Sequence, residues 1–199
     1  MGDIKLNPWL SIWVRPRQTI LKIVDKYQEK YLYLLTFFAL IILSINEENI
    51  NNIRSLNFNI YFVGLLILII YLMVLALIYI EADLLAWTGH LIGGKGKRIE
   101  IRAVIIWSLI PNIYLGIVKF VFFLFNLLFV NLSNEFIDMV QMLLSWIEGI
   151  IEIWSLVIFI NCLSAIQKLP TWKTILNAII PFILVIGCFF GIATLKKGL

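Results

Sequence analysis

The chain has 199 residues, of which 62% are hydrophobic and 14% are charged, and its mean hydropathy is +0.98. A soluble domain carries about 25% charged residues, so this composition excludes an ordinary water-soluble globular protein. The formal net charge of +4 is modest, and we expect no nucleic-acid partner.

Residues 1–30 are predicted to form a cytoplasmic or interfacial leader with no cleavable signal. Asn7 and Pro8 are typical of a helix N-cap followed by proline at the first helical position. Pro16 can begin a second helix with one apolar and one basic stripe. This pattern predicts an amphipathic helix in the lipid headgroup region, and the alternative is a solvated leader. The predicted interfacial anchors are Trp9, Trp13, Arg15 and Arg17.

Apolar stretches predict five transmembrane helices. Residues 57–80 contain no charged side chain, and a helix of about 20 residues crosses the roughly 30 Å hydrocarbon core. Pro111 and Pro181 predict kinks within two of the spans. The predicted fold is therefore an all-α polytopic bundle in a single domain, 1–199, with spans at about 31–45, 60–80, 103–130, 137–166 and 174–195.

The distribution of basic residues predicts the orientation. If the N-terminus is cytoplasmic, twelve Lys and Arg side chains outside the spans face the cytoplasm and three face the other side. This asymmetry follows the positive-inside rule. We therefore expect the N-terminus inside and the C-terminus outside.

A glycine-rich stretch lies between the second and third predicted spans. It resembles a P-loop, but Gly96 stands where Ser or Thr must hold magnesium, and a membrane helix precedes it instead of a strand. ATP or GTP hydrolysis is therefore not expected. The stretch is either a flexible cytoplasmic turn or a nest that binds an anion such as a lipid phosphate. The residues of the predicted nest are Gly93, Gly94, Lys95, Gly96, Lys97 and Arg98.

Catalytic and metal-binding constellations are not recognised in the sequence. His90 is the only histidine, and Cys162 and Cys188 both fall inside predicted spans, where they are expected to act as small apolar residues. We expect no enzyme activity, no cofactor and no metal site.

Three ionisable residues lie well inside predicted spans: Lys119, Glu148 and Glu152. Such residues are rare in membranes and usually find partners. Glu148 and Glu152 are four residues apart, so we expect them to share one helix face that Ser155 continues. The hypothesis is that Lys119 pairs with this couple as a structural clamp. The alternatives are a polar path for an ion, proton or lipid headgroup, or a location nearer the interface.

Three pieces of sequence resemble the bacterial branch of the Yip (Ypt/Rab-interacting protein) family. They are NPWLSIWVRPRQTI at 7–20, LLAWTGHLIGGKGKRIEIRAVIIWSLIP at 84–111 and IIEIWSLVIFINCLSAIQKLPTWKTI at 150–175. The resemblance implies five spans and a cytoplasmic N-terminal region in a bacterial cytoplasmic membrane, with no Rab partner. Some bacterial members accompany transport systems. Lys119 and Glu148 match no motif of the family.

These observations favour a non-enzymatic adaptor or accessory subunit of a membrane complex, such as a transport system. The alternative is a small transporter, channel or lipid-translocating protein that uses the Lys/Glu cluster. The expected partners are anionic headgroups at the cytoplasmic face and another membrane protein, and a homo-oligomer is compatible with the sequence.

Overall fold

The computed structural model describes residues 7–27, 31–44, 60–128, 134–181 and 183. Every regular element in this part of the chain is helical, which agrees with the predicted all-α class. In chain order the helices are α1 (Pro8–Val14), α2 (Pro16–Lys26), α3 (Leu32–Ser44), α4 (Ile60–Leu91), α5 (Arg98–Ser108), α6 (Ile110–Leu128), α7 (Asn134–Gln167) and α8 (171–181).

Two prolines set the start of the first two helices. The Asn7 side chain caps α1 by accepting a hydrogen bond from the Trp9 N–H at 3.1 Å, and Pro8 follows at the first helical position. Pro16 begins α2 directly after Arg15, which separates the two helices. Both features agree with the sequence prediction, because they depend only on residues next to one another in the chain.

The apolar stripe of helix α2 packs against other helices of the protein. The sequence analysis predicted that this stripe would face lipid. Thr19, Ile20 and Ile23 are fully buried, and the helix contacts α5 and α7. An apolar stripe can leave water either by packing against other helices or by inserting into the headgroup layer. The sequence pattern of the stripe is the same in both cases. The exposed side of α2 carries Lys22 and Lys26.

The core of the molecule surrounds α5. Seven of its residues are buried, and Trp107 is the largest fully buried side chain. The indole ring of Trp107 lies 5.3 Å from the ring of Trp9 and 6.2 Å from the ring of Tyr31, measured between centroids. Aromatic side chains from α1 and from the start of α3 therefore meet on α5, which also contacts α2, α4 and α7.

Among the described residues, three segments are long and apolar enough to cross a membrane, judged by length and composition. They are Gly64–Leu91, Arg98–Asn126 and Glu135–Gln167. The described part of helix α3 has 13 residues and is about 20 Å long. The predicted span 137–166 lies within α7, and α8 begins at residue 171, three residues before the predicted span 174–195. Most of that span lies outside the described residues.

Helix α4 is longer than the predicted span 60–80. It has 32 residues and continues to Leu91. The physical reason is packing: Ile78, Ala82 and Leu85 are buried at helical spacing, so one apolar face continues past the exposed charges of this region.

The described part of the predicted span 103–130 is divided between helices α5 and α6. The helix begins earlier, at Arg98, and is interrupted at Leu109, whose N–H donates to the Ile106 carbonyl at 3.2 Å. The interruption lies two residues before Pro111, which lacks an N–H and crowds the carbonyl of the preceding turn. A break is therefore present near the predicted kink.

Candidate functional site

Two pairs of polar side chains join α6 to α7 within the membrane-crossing segments. Lys119 Nζ lies 2.6 Å from Glu148 Oε2, and Ser155 Oγ lies 3.2 Å from Asn112 Oδ1. The two pairs are seven residues apart on both helices, so one antiparallel register aligns both of them about 10 Å apart. We call these four residues the polar ladder.

The Lys119–Glu148 pair lies at the edge of the α6–α7 contact. The two side chains are 29% and 39% exposed, and the neighbouring Val118 and Ile147 are exposed apolar residues. Opposite charges at hydrogen-bond distance attract strongly where water is scarce. The pair can therefore fix the two helices together, and its role as a functional site stays a prediction.

Glu152 does not join the ladder, although it lies four residues from Glu148, and Lys119 pairs with Glu148 alone. It is exposed and makes no hydrogen bond or ion pair within the described residues. The helical geometry explains the difference: Ser155 lies about 20° from Glu148 around the axis, whereas Glu152 lies about 40° from Glu148 in the opposite direction. Glu148 and Ser155 face α6, and Glu152 is turned outwards.

A second polar group surrounds the buried side chain of Gln167 at the end of α7. The Gly96 N–H donates to Gln167 Oε1 at 3.1 Å, and the Lys95 N–H donates to the Gln167 backbone carbonyl at 3.0 Å. Gln167 Nε2 in turn donates to the Leu85 carbonyl at 3.0 Å. One amide thus joins α7 to both the glycine-rich loop and the last turns of α4.

Three glycines make room for this amide, and we call them the glycine cradle: Gly89, Gly94 and Gly96. A Cβ atom on Gly89 would overlap Gln167 Nε2, and one on Gly94 would overlap Gln167 Oε1. A Cβ on Gly96 would lie 3.1 Å from Ile166 Cγ2. At Gly89 and Gly94 a methyl group would displace the Gln167 side chain, and at Gly94 it would also crowd the Gly89 carbonyl oxygen, whereas at Gly96 the neighbouring atoms would have to shift only slightly.

Asn177 of α8 extends the same buried network. Its Nδ2 donates to the Leu85 carbonyl at 3.2 Å, and its Oδ1 lies 2.6 Å from Thr88 Oγ1. Thr88, Gln167 and Asn177 are all fully buried. Every buried polar group of this network therefore has a partner, and α4, α7 and α8 are held at one end of the molecule.

Most backbone N–H groups of the predicted anion nest, those of Gly93 to Lys97, are already bound within the chain. The six N–H groups of residues 92–97 all donate within the chain, to Gly89, His90, Gly89, Gln167, Gln167 and Glu100 in that order. A nest needs converging donors that are free to bind the anion. The loop is also not a loose turn, since Gly94 and Gly96 are buried.

The basic side chains of the loop remain at the surface. Lys95 and Lys97 are exposed, and Arg98 Nε lies 3.5 Å from Asp83 Oδ1 at the end of α4. Binding of a lipid phosphate by Lys95 and Lys97 stays a prediction.

The predicted interfacial tryptophans contact protein rings. The Trp9 ring packs on Trp107, and the Trp13 ring packs edge-on against Tyr114 at 5.9 Å between centroids. Both tryptophans are half-buried. Their spacing of four residues places them on one face, as predicted, but that face is directed at α5 and α6.

Arg17 also binds protein. Its Nε donates to Asn161 Oδ1 at 3.0 Å, and its Nη2 donates to Thr171 Oγ1 at 2.9 Å. Arg17 therefore ties α2 to the end of α7 and the start of α8. Arg15 is exposed and remains the one predicted anchor that the structure leaves at the surface without such a contact.

Sequence reasoning did not place Gln167, Thr88 and Asn177 in a common buried network. The sequence did contain a signal for these residues: each is an amide or hydroxyl side chain within an apolar stretch near the end of a helix. A polar side chain there must find a partner, because burial without a hydrogen bond costs free energy. The sequence does not show which glycines provide the partner.

Replacing Gly89 by Ala tests the cradle. The new methyl group displaces Gln167, which loses its bonds to Gly96 and Leu85, so we expect at least about 2 kcal/mol lower stability against unfolding in detergent. Gly64→Ala is the matched control on α4, because nothing lies within 4 Å of its Cβ position. In a Gln167→Ala background, Gly89→Ala should have little further effect. An equal loss in both backgrounds would contradict the proposed overlap.

A double-mutant cycle tests the ion pair. Lys119→Met leaves Glu148 without its partner in an apolar setting, and we expect about 2 kcal/mol lower stability in detergent. The double variant Lys119→Met/Glu148→Met should regain most of that loss, because neither charge is then left alone. Lys22→Met on the exposed side of α2 controls for removing a surface charge. Strictly additive effects of the two single changes would show that the pair does not couple α6 to α7.

A comparison with protein families matches the Yip1 domain over residues 10–192. The search of curated proteins and the search of solved structures both gave no significant match. The match spans all eight described helices except the first residues of α1, and thus includes the polar ladder and the glycine cradle. The chain therefore belongs to the Yip1 domain family of membrane proteins.

Proposed function

We propose that this protein is a non-enzymatic adaptor or accessory subunit of a larger complex in the bacterial cytoplasmic membrane. The proposal depends on one observation: the buried polar groups of the protein face other helices, and many of its apolar groups face outwards. The polar ladder and the Gln167 network bind helices to one another, whereas the apolar surface is directed outwards. Only 11% of the most apolar stretch of α4 is buried. Such a surface suits lipid and other membrane helices.

The proposed topology has five spans with the N-terminus in the cytoplasm. Three segments assigned to the cytoplasmic side by the positive-inside rule are in direct contact. Arg17 of the leader binds Thr171, and the Lys95 N–H binds the Gln167 carbonyl. The leader, the glycine-rich loop and the α7–α8 turn thus lie at one end of the molecule, which supports their assignment to one side of the membrane.

Anionic lipid is a proposed ligand of this end. Lys95, Lys97 and Lys168 are exposed there, and Lys173 lies over the Trp172 ring at 5.6 Å from its centroid. Each basic side chain near an anionic membrane surface contributes about 1 kcal/mol of attraction. These side chains, more than the backbone of the loop, are the groups proposed to contact lipid phosphates.

Purification from native membranes in a mild detergent tests the adaptor role. We expect a defined membrane protein to copurify in a fixed ratio and to be lost in a variant that unfolds the cradle, such as Gly89→Ala, but not in Gly64→Ala. Uptake of a solute by the pure protein in vesicles would instead support the transporter alternative. Recovery of the protein alone, in several detergents, would contradict the adaptor role.

A further inference from the structure

Helix α7 presents one continuous exposed face along most of its length. Most of its members are separated by three or four residues, Ile153 directly follows Glu152, and all are exposed: Asp138, Met142, Ser145, Gly149, Glu152, Ile153 and Leu156. We call this set the Glu152 face. It contains two carboxylates and no basic side chain, so it is acidic as well as largely apolar.

Glu152 lies near the middle of α7, about 27 Å from its first residue and about 22 Å from its last. A carboxylate at this depth is costly in lipid and usually pairs with another group. Lys119 lies against Glu148, and Glu152 has no hydrogen bond or ion pair in the part of the chain that is described. The mid-membrane segment of α7 therefore offers a carboxylate that can accept a partner.

Small side chains on the same face leave room for another helix to approach. Nothing lies within 4 Å of the Cβ position of Gly149, and Ser145 is four residues before it. The Ser145 hydroxyl donates to the Met142 carbonyl of its own helix at 2.7 Å, so it does not project as an unsatisfied group. Small residues at this spacing let helix backbones approach closely in membranes. Glu152 stands three residues beyond Gly149, beside that gap.

Charge decides which occupant fits. A second copy of the chain docked by the same face would bring carboxylates together with no cation between them, which is unfavourable in a medium of low dielectric constant. Lipid tails offer no cation either. A membrane helix that carries Lys or Arg at this depth would supply the missing charge and fill the gap at Gly149.

We propose that the Glu152 face docks a transmembrane helix of another subunit, whose Lys or Arg side chain pairs with Glu152. This inference rests on the proposed adaptor function and names the chemistry of the partner. The ion pair would form at mid-membrane depth, and Ser145 and Gly149 would set the closest approach of the two helices.

A synthetic helix provides the probe. A Leu/Ala peptide of about 21 residues with one central Lys is compared with the same peptide carrying Leu, in phosphatidylcholine vesicles that contain the purified protein. Energy transfer between labelled peptide and protein measures association. We expect the Lys peptide to bind roughly threefold to tenfold more tightly than the Leu peptide.

Matched variants identify the surface. Glu152→Gln should remove the preference for Lys, whereas Glu135→Gln, an exposed carboxylate at the start of the same helix, should keep it. Gly149→Leu should weaken the binding of the Lys peptide, and Gly64→Leu on α4 should not.

Three results would overturn the proposal. They are equal binding of the two peptides, a preference that survives Glu152→Gln, and disulfide-linked dimers of a Leu156→Cys variant, which would assign the face to a second copy. Failure of the adaptor role is distinguishable. A copurified subunit that cross-links to α4 but not to α7 refutes this surface alone, whereas a Lys preference without any native partner refutes the adaptor role alone.

Discussion

The buried amide of Gln167 is the interaction on which the described structure depends most. It accepts from the glycine-rich loop and donates to the last turns of α4, while its own backbone carbonyl accepts from Lys95. A buried amide that lost these partners would cost more than the bonds contribute when made. The glycines therefore provide the space that the Gln167 amide occupies, and the loop packs around this amide. Arg17 then docks the N-terminal helices onto the same end.

The polar ladder joins α6 to α7 in the middle of the molecule, away from the Gln167 network. The ladder fixes the register of α6 against α7, because both of its pairs need the same antiparallel alignment. Helices in lipid gain little from apolar contact with one another, so such contacts define which faces meet. Along the long helices, the outward surface is mostly apolar, apart from residues such as Glu152. This division, with polar groups between helices and an apolar exterior, links the fold to the proposed role as a subunit.

The features that could be predicted from sequence depend on composition or on neighbours in the chain. Membrane class follows from the scarcity of charge, and the cap at Asn7 and the helix start at Pro16 follow from local chemistry. The contact of Lys119 with a carboxylate also follows from the rarity of charges at that depth. The features that could not be predicted depend on tertiary packing. Helix α4 extends past its charges because Ala82 and Leu85 meet other helices, and the sequence does not show those helices.

Hydrogen exchange at the amides of residues 92–97 tests the central claim most directly, because an exposed loop outside the bilayer would otherwise exchange rapidly. Since these donors are bound within the chain, with Gly96 and Lys95 bound to Gln167, the account predicts protection approaching that of the α4 amides. It also predicts that Gln167→Ala abolishes the protection at Gly96. Rapid exchange of Lys95 and Gly96 in the unaltered protein would contradict the account.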